Sequence, residues 1–294
     1  RSPEKTHIIT SAVEHPAILN PALFLMELGV QVTILPVDPL GRVDPDAVRK
    51  AVRKNTQLIT IMLANNETGT LQPIDEISKI ARELGILMHT DAAQAVGKLK
   101  LDMRELDVDF LSVAGHKLYA PKGIGALFIR EGRDIAPFIH GAGQEGGRRP
   151  GTENVILAAG LGAACRIAGQ RLDEDMKQTA LLRDRLEALL MRDLEGLVLN
   201  GHPEKRLPNT LNISVPGIEG GRILDGLPFI MASTGAACHD RAVKLSHVLT
   251  AMAVPPEIGM GALRLTLGRS NTMEQIEKAA GLMINRVKKL RDER

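Results

Sequence analysis

A lysine and an aspartate, each closing an apolar run, are the residues of this chain best placed to do chemistry. Asp109-Phe110-Leu111-Ser112-Val113-Ala114 reads as a strand, and Gly115-His116-Lys117 turns away from its end. Upstream, Ile86-Leu87-Met88-His89-Thr90 repeats the plan and ends in Asp91. An amine and a carboxylate at the carboxyl ends of two strands suit pyridoxal 5'-phosphate (PLP). The lysine would form a Schiff base, and the aspartate would hold a proton on the pyridine nitrogen. Taken singly, Lys117 is an ordinary solvated lysine and Asp91 an ordinary turn cap. The pairing is what points to a cofactor.

Four further features point the same way. His15 follows the first strand, where an imidazole can stack on a cofactor ring or merely close a turn. An amide in Asn65-Asn66-Glu67-Thr68-Gly69, and that of Gln94, just beyond Asp91, can meet a ring oxygen, although polar turns have the same composition. Gly151-Thr152 follows two arginines and offers a phosphate contact. Arg264 interrupts the apolar run Ala262–Leu267; its fork suits a carboxylate, and the competing reading is an edge-strand arginine facing water. Cys238, in Ser233-Thr234-Gly235-Ala236-Ala237-Cys238-His239, reads as an accessible thiol on a small-residue loop, beside a histidine that favours thiolate. A zinc site at Cys238, His239 and His247 is disfavoured, because no second cysteine lies near. Cys165, in an Ala/Gly helical stretch, is expected to pack in the core.

These residues need a scaffold of parallel strands. His7–Thr10, Gln31–Val37, Gln57–Leu63, Ile86–Thr90, Asp109–Ala114 and Ala126–Ile129 are continuous apolar runs, as buried parallel strands are. Asp44-Pro45 opens one intervening helix, and Pro73-Ile74 opens another that ends near Gly85. The alternation predicts an α/β fold with ligands at the carboxyl ends of the strands. A glycine-rich basic stretch from His140 to Thr152 breaks this texture. A long helical region follows, from about Asn154 to Leu194, with a possible break near Gly169. Short strands are expected around Leu211–Val215, Phe229–Ser233 and Leu263–Leu267. The last helix starts at Thr272 with a capping box to Gln275, and Ile276, Ala280, Met283, Val287 and Leu290 share one face. The expected division is a large α/β domain over 1–153 and a smaller α+β domain over 154–294.

Composition narrows the function classes. A net charge of +2 with mixed signs, one tyrosine and no tryptophan give little support to nucleic-acid binding. No apolar run reads as the roughly 20 residues of a membrane span. Two cysteines do not make a disulfide framework, so a reducing, cytoplasmic setting is expected.

Taken in order, seven blocks resemble the cysteine desulfurase and selenocysteine lyase family of PLP-dependent fold type I. They are Val13-Glu14-His15-Pro16, Asn65–Gly69, His89–Gln94, Gly115-His116-Lys117, Arg149-Pro150-Gly151-Thr152-Glu153-Asn154, Gly235-Ala236-Ala237-Cys238 and Leu263–Arg269. The resemblance implies a large α/β domain with a mostly parallel sheet, a smaller α+β domain and a homodimer. It implies that Lys117 carries PLP, Asp91 pairs with the pyridinium, His15 stacks on the ring, and Asn66 and Gln94 contact its oxygen. His116 would bind the phosphate, and Thr152 would reach the phosphate of the partner subunit. Arg264 would hold the substrate carboxylate with Asn66 close by. Cys238 would take sulfur from L-cysteine as a persulfide, release alanine, and pass the sulfur to an acceptor such as an iron–sulfur scaffold.

Two departures qualify that expectation. Ala114 stands where the family usually has a phosphate-binding hydroxyl, so weaker PLP retention is expected; selenocysteine lyases share that lack. The spacing from Cys238 to Ser246-His247 favours the desulfurase branch. The family also has a phosphate-cradling turn before the position of His7. Without it, an inactive scaffold of the same fold is the competing expectation. A fold type I aminotransferase fits the Gly-Ala-Ala-Cys block less well.

Overall fold

Short runs of Val, Ile and Leu pair into one six-stranded sheet in the computed structural model. It describes residues 6–234, 236–239 and 242–293, and gives the backbone alone at 236–239 and 242–244. The strands are β1 (His7–Ser11), β2 (Gln31–Leu35), β3 (Thr56–Thr60), β4 (Leu87–Asp91), β5 (Phe110–Ala114) and β6 (Gly125–Ile129), in the order β2-β1-β3-β4-β5-β6. β1 to β5 are parallel. Helices α1 (Pro16–Glu27), α2 (Pro45–Ala51), α3 (Ile74–Glu83) and α4 (Met103–Leu106) carry the chain back between them, as parallel pairing demands. β6 departs from expectation. It runs antiparallel to β5, and its Gly125, Ala126 and Leu127 are exposed. An edge strand reached by a short turn needs neither the parallel direction nor burial on both faces.

Local signals set the helix ends. The Asp44 carboxylate accepts from the Asp46 amide, with Pro45 at the first helical position. Ile74, Ile77 and Ala81 on α3 pack with Ile59, Ile61 and Met88 of the sheet core. Each large apolar side chain so buried contributes about 1.5–3 kcal/mol.

Helix α5 (Val155–Asp193) is a single 39-residue helix, capped by Asn154 and unbroken at Gly169. Its second half places Leu182, Leu186 and Leu190 in another core. Its first half lays Ala164 and Ala168 against Leu118, just after β5. An 18-residue window of α5 has mean hydropathy 1.2, so by length and composition a span-length apolar stretch does exist, contrary to the expectation above. Cys165 is exposed on this helix, not packed in the core: Ala164 and Ala168 are the residues facing the sheet, and the next position points away.

The second core covers an antiparallel sheet of β7 (Val198–Leu199), β8 (Thr210–Ser214), β9 (Ser233–Thr234) and β12 (Ala262–Thr266), ordered β7-β8-β12-β9. A hairpin of β10 (Ala236–His239) and β11 (Ala242–Leu245) projects between β9 and the short helices α7 (His247–Ala251) and α8 (Pro256–Gly259); α6 (Gly220–Leu224) precedes β9. Helix α9 (Met273–Asp292) has the anticipated capping box, and Ile276, Ala280, Met283, Val287 and Leu290 are all buried. The expected strand at Phe229–Ser233 contracts to Ser233–Thr234, with Phe229 and Met231 about nine-tenths exposed. Pro228 withholds an amide from any ladder there.

Candidate active site

The carboxyl ends of the central parallel strands face the middle of β12 across a cavity of about 570 Å³. His15, Asn66, Asp91, Gln94, Ala114, His116, Lys117 and Arg264 line it. Seven of the nine residues anticipated from sequence therefore converge. Thr152 is exposed and does not line the cavity. The Cys238 side chain lies outside the described residues. Its backbone forms a strand paired with Val243, where a loop was expected.

Lys117 sits on a single 3-10 turn, Gly115–Leu118, directly after β5. A Cβ on Gly115 would lie 2.7 Å from the Ile124 carbonyl oxygen, so only glycine lets the turn close so tightly. Leu118 is buried against α5. The lysine itself is free to reach the cavity while its backbone is clamped on both sides.

Asp91 both caps and faces the cavity. Its Oδ1 accepts from the Ala93 amide at 2.9 Å, and among the described residues nothing donates to its other oxygen. Two residues earlier, His89 is hydrogen-bonded through Nδ1 to Thr60 (2.8 Å) and through Nε2 to Ser112 (2.9 Å). Burial pushes this imidazole below its ordinary value, partly opposed by Asp91. Glu14 is fully buried; one of its oxygens, Oε1, accepts from Ser11 (2.7 Å) and from the Met62 amide (2.8 Å). Burial drives its pKa up to about 8, against those two hydrogen bonds and with a small push from Asp91.

The ambiguous residues resolve by geometry. His15 Nδ1 accepts from the Ala17 amide at 3.1 Å, so the ring caps α1 and presents its other edge to the cavity. Asn65 is the turn residue: Oδ1 accepts from the Glu67 and Thr68 amides, and Nδ2 donates to the Val13 carbonyl. Asn66 is left for a ligand, its Oδ1 buried without a partner. Arg264 lies on β12 between β8 and β9, which excludes the water-facing edge reading. Its guanidinium donates to the Asn66 carbonyl (3.2 Å) and the Ser233 hydroxyl (3.0 Å), and among the described residues no carboxylate pairs with it. Ala114 supplies no hydroxyl, and that of Ser112, two residues before, is held by His89.

An amine, an open carboxylate oxygen, an exposed imidazole, an unpartnered amide oxygen and a guanidinium with no carboxylate partner among the described residues suit an anionic aromatic aldehyde and an amino acid. The residues fit PLP.

The family model for class-V aminotransferases matches residues 2–279. This chain belongs to the class-V aminotransferase family. Its relatives include a protein named cysteine desulfurase IscS from Methanosarcina thermophila, 47% identical, matched over 97% of this chain and 71% of the relative. A solved structure titled NifS-like protein superposes with a TM-score of 0.89 at 37% identity, covering 97% of this chain and 75% of the other. Another, titled SspA in complex with cysteine, gives a TM-score of 0.77 at 35% identity over 92% of this chain and 75% of the other. Class-V aminotransferases use PLP, and the fold here is their fold type I architecture.

Sequence reasoning missed the support behind this class-V aminotransferase site. His89 and Asp91 stand two apart on one strand and so share a face, which was the available signal. Nothing local marks Thr60, Ser112 or Ser233, because their partners are 23 to 31 residues away.

Proposed function

We propose that this protein is a cysteine desulfurase, taking sulfur from L-cysteine as a persulfide on Cys238 and releasing L-alanine. The observation that carries this reading is the tethering of the Cys238 hairpin at both ends beside the cavity. Ser233, five residues before Cys238, accepts from Arg264, and Ser246, just after β11, donates to the Glu67 carboxylate next to Asn66. His247 then hydrogen-bonds the Glu14 carbonyl at 2.9 Å. The relative named cysteine desulfurase IscS supports it.

PLP, held by Lys117, Asp91, His15, Asn66, Gln94 and His116, supplies an electron sink when bound. The chain does the rest. Arg264 holds the substrate carboxylate through charge-assisted hydrogen bonds. Lys117, as a free amine lining the cavity, would move the α-proton. The Cys238 thiolate attacks the substrate sulfur: the S–S bond forms, the C–S bond breaks, and the carbon takes up a proton as alanine leaves. The persulfide then passes to an acceptor protein. In the same reading, 1–153 is the PLP-binding domain, and 154–294 comprises the linking helix and the smaller domain that carries Cys238. Thr152 serves the phosphate of the partner subunit in a homodimer. Exposed Phe138, Ile139, Val155 and Ile156 around that loop support the pairing.

Ala114 in the cavity wall favours a second reading, selenocysteine lyase. Alanine release from L-cysteine and L-selenocysteine, with and without Cys238→Ala, tests both. The first reading requires cysteine turnover that disappears with Cys238. Turnover that survives Cys238→Ala refutes the persulfide route, and turnover of selenocysteine alone selects the lyase.

A further inference from the structure

Lys98 stands behind the active-site wall and matches none of the roles above. It follows Asp91 by seven residues, on the helical turn that also carries Gln94, four residues earlier. Its ammonium donates to the Gln94 carbonyl at 2.9 Å and to Gln94 Oε1 at 3.3 Å. Among the described residues it has no ion-pair partner. The charged groups sharing its small cavity are Lys117, Asp175 of α5 and Arg269. Asp175 is engaged by Arg171 at 3.1 Å and faces Arg269 at 3.6 Å.

We propose that Lys98 is a positioning residue that fixes which end of the Gln94 amide faces the cofactor. An ammonium has three donors and no acceptor. The oxygen of Gln94 must therefore turn back to Lys98, and its NH2 must point into the cavity. Gln94 then meets the cofactor's ring oxygen as a donor. A free glutamine could present either end. A methionine at 98 would fill similar space without the desolvation of an ammonium, so packing alone does not account for a lysine here. Burial, with the charge of Lys117, lowers the Lys98 pKa to about 8. Below that pH the amine can only donate; above it the neutral amine can also accept, so the orientation is enforced on the acid side.

The proposal rests on Gln94 facing the PLP ring. A donor on the ring oxygen favours loss of the neighbouring Schiff-base proton, and so holds down the pH midpoint of the visible band of bound PLP. The test is that midpoint, read by absorbance on the PLP-loaded proteins. Wild type is compared with Lys98→Met, Gln94→Ala, the double variant and Lys98→Arg. Lys98→Met and Gln94→Ala are each expected to raise the midpoint by about one pH unit. The double variant should rise no further than Gln94→Ala alone, and Lys98→Arg, still a pure donor, should keep the wild-type value. A Lys98→Met midpoint at the wild-type value beside a shifted Gln94→Ala overturns the proposal alone. So does an additive double variant. An unshifted Gln94→Ala overturns the placement of Gln94 as well. Should Lys98→Met not fold, a Lys98→Arg midpoint raised as far as that of Gln94→Ala also refutes it.

Discussion

Glu14 provides the sharpest quantitative test of the site's electrostatics. The residue is fully buried, and burial raises its pKa from an ordinary 4.5 to about 8. A carboxyl whose folded pKa is raised stabilises fully below its unfolded pKa, and that stability is lost as pH rises through the folded pKa. The gap is about 3.5 pH units, at about 1.36 kcal/mol each. Integrated over the range, about 2 kcal/mol of it is lost between pH 6 and pH 8. For a chain of 294 residues, at about 2.1 cal/mol/K per residue, that is about 3–4 °C in Tm. Glu14→Gln keeps an oxygen for the Ser11 and Met62 donors but has no proton to lose. The fall in Tm from pH 6 to pH 8 should be smaller in the variant by about that amount, measured by thermal unfolding at both pH values. The absolute Tm of the variant is a separate matter, because its amide places donors where Glu14 Oε2 has no partner. An unchanged pH dependence would refute a neutral Glu14 and the burial argument behind it.

Three further outcomes follow from the geometry. Arg264→Gln should raise the KM for the amino-acid substrate by about 10- to 100-fold with a smaller change in kcat, the worth of one charged hydrogen bond; steady-state kinetics checks it. Gly115→Ala would put a Cβ 2.7 Å from the Ile124 carbonyl oxygen and should cost about 1–3 kcal/mol, seen as a lower Tm and weaker PLP retention. Asp109 is buried, takes the Met88 amide at 2.8 Å and pairs with Arg133 at 2.7 Å. Asp109→Ala should cost about 3 kcal/mol in denaturant unfolding, because both donors lose their partner.

The strand-end chemistry was legible because it is local. A continuous apolar run, a tight turn and one polar residue at its end mark Lys117 and Asp91 within a few positions. The same logic found the helix caps at Asp44 and Thr272. It misassigned β6, because direction in a sheet depends on the length of the connection and leaves the strand's own residues unmarked. It put Cys165 in the core, because an Ala/Gly helix offers no amphipathic contrast to say which face is covered. It could not choose between Asn65 and Asn66. The choice rests on the Val13 carbonyl, 52 residues away, which takes the first amide and frees the second. The edge-strand alternative for Arg264 failed for a similar reason: β8 and β9 flank β12 from distant parts of the chain.

The charges around Asp91 link the Glu14 prediction to the chemistry. Below pH 8 Glu14 is neutral, and burial holds the His89 imidazole below its ordinary value. Asp91 is then the carboxylate this cluster presents to the cavity, one negative group for one pyridinium nitrogen. Raising the pH through 8 ionises Glu14 and places a second negative charge near the first, in surroundings of low dielectric. A second negative charge near Asp91 would stabilise the pyridinium further, so its proton should be held more tightly in alkaline solution. The absorbance of bound PLP should therefore change near pH 8 in wild type through Glu14, and this component should vanish in Glu14→Gln while any component from Lys117 persists. If both proteins trace the same curve, Glu14 does not reach the cofactor electrostatically, and its burial serves only to hold the Met62 and Ser11 segments together.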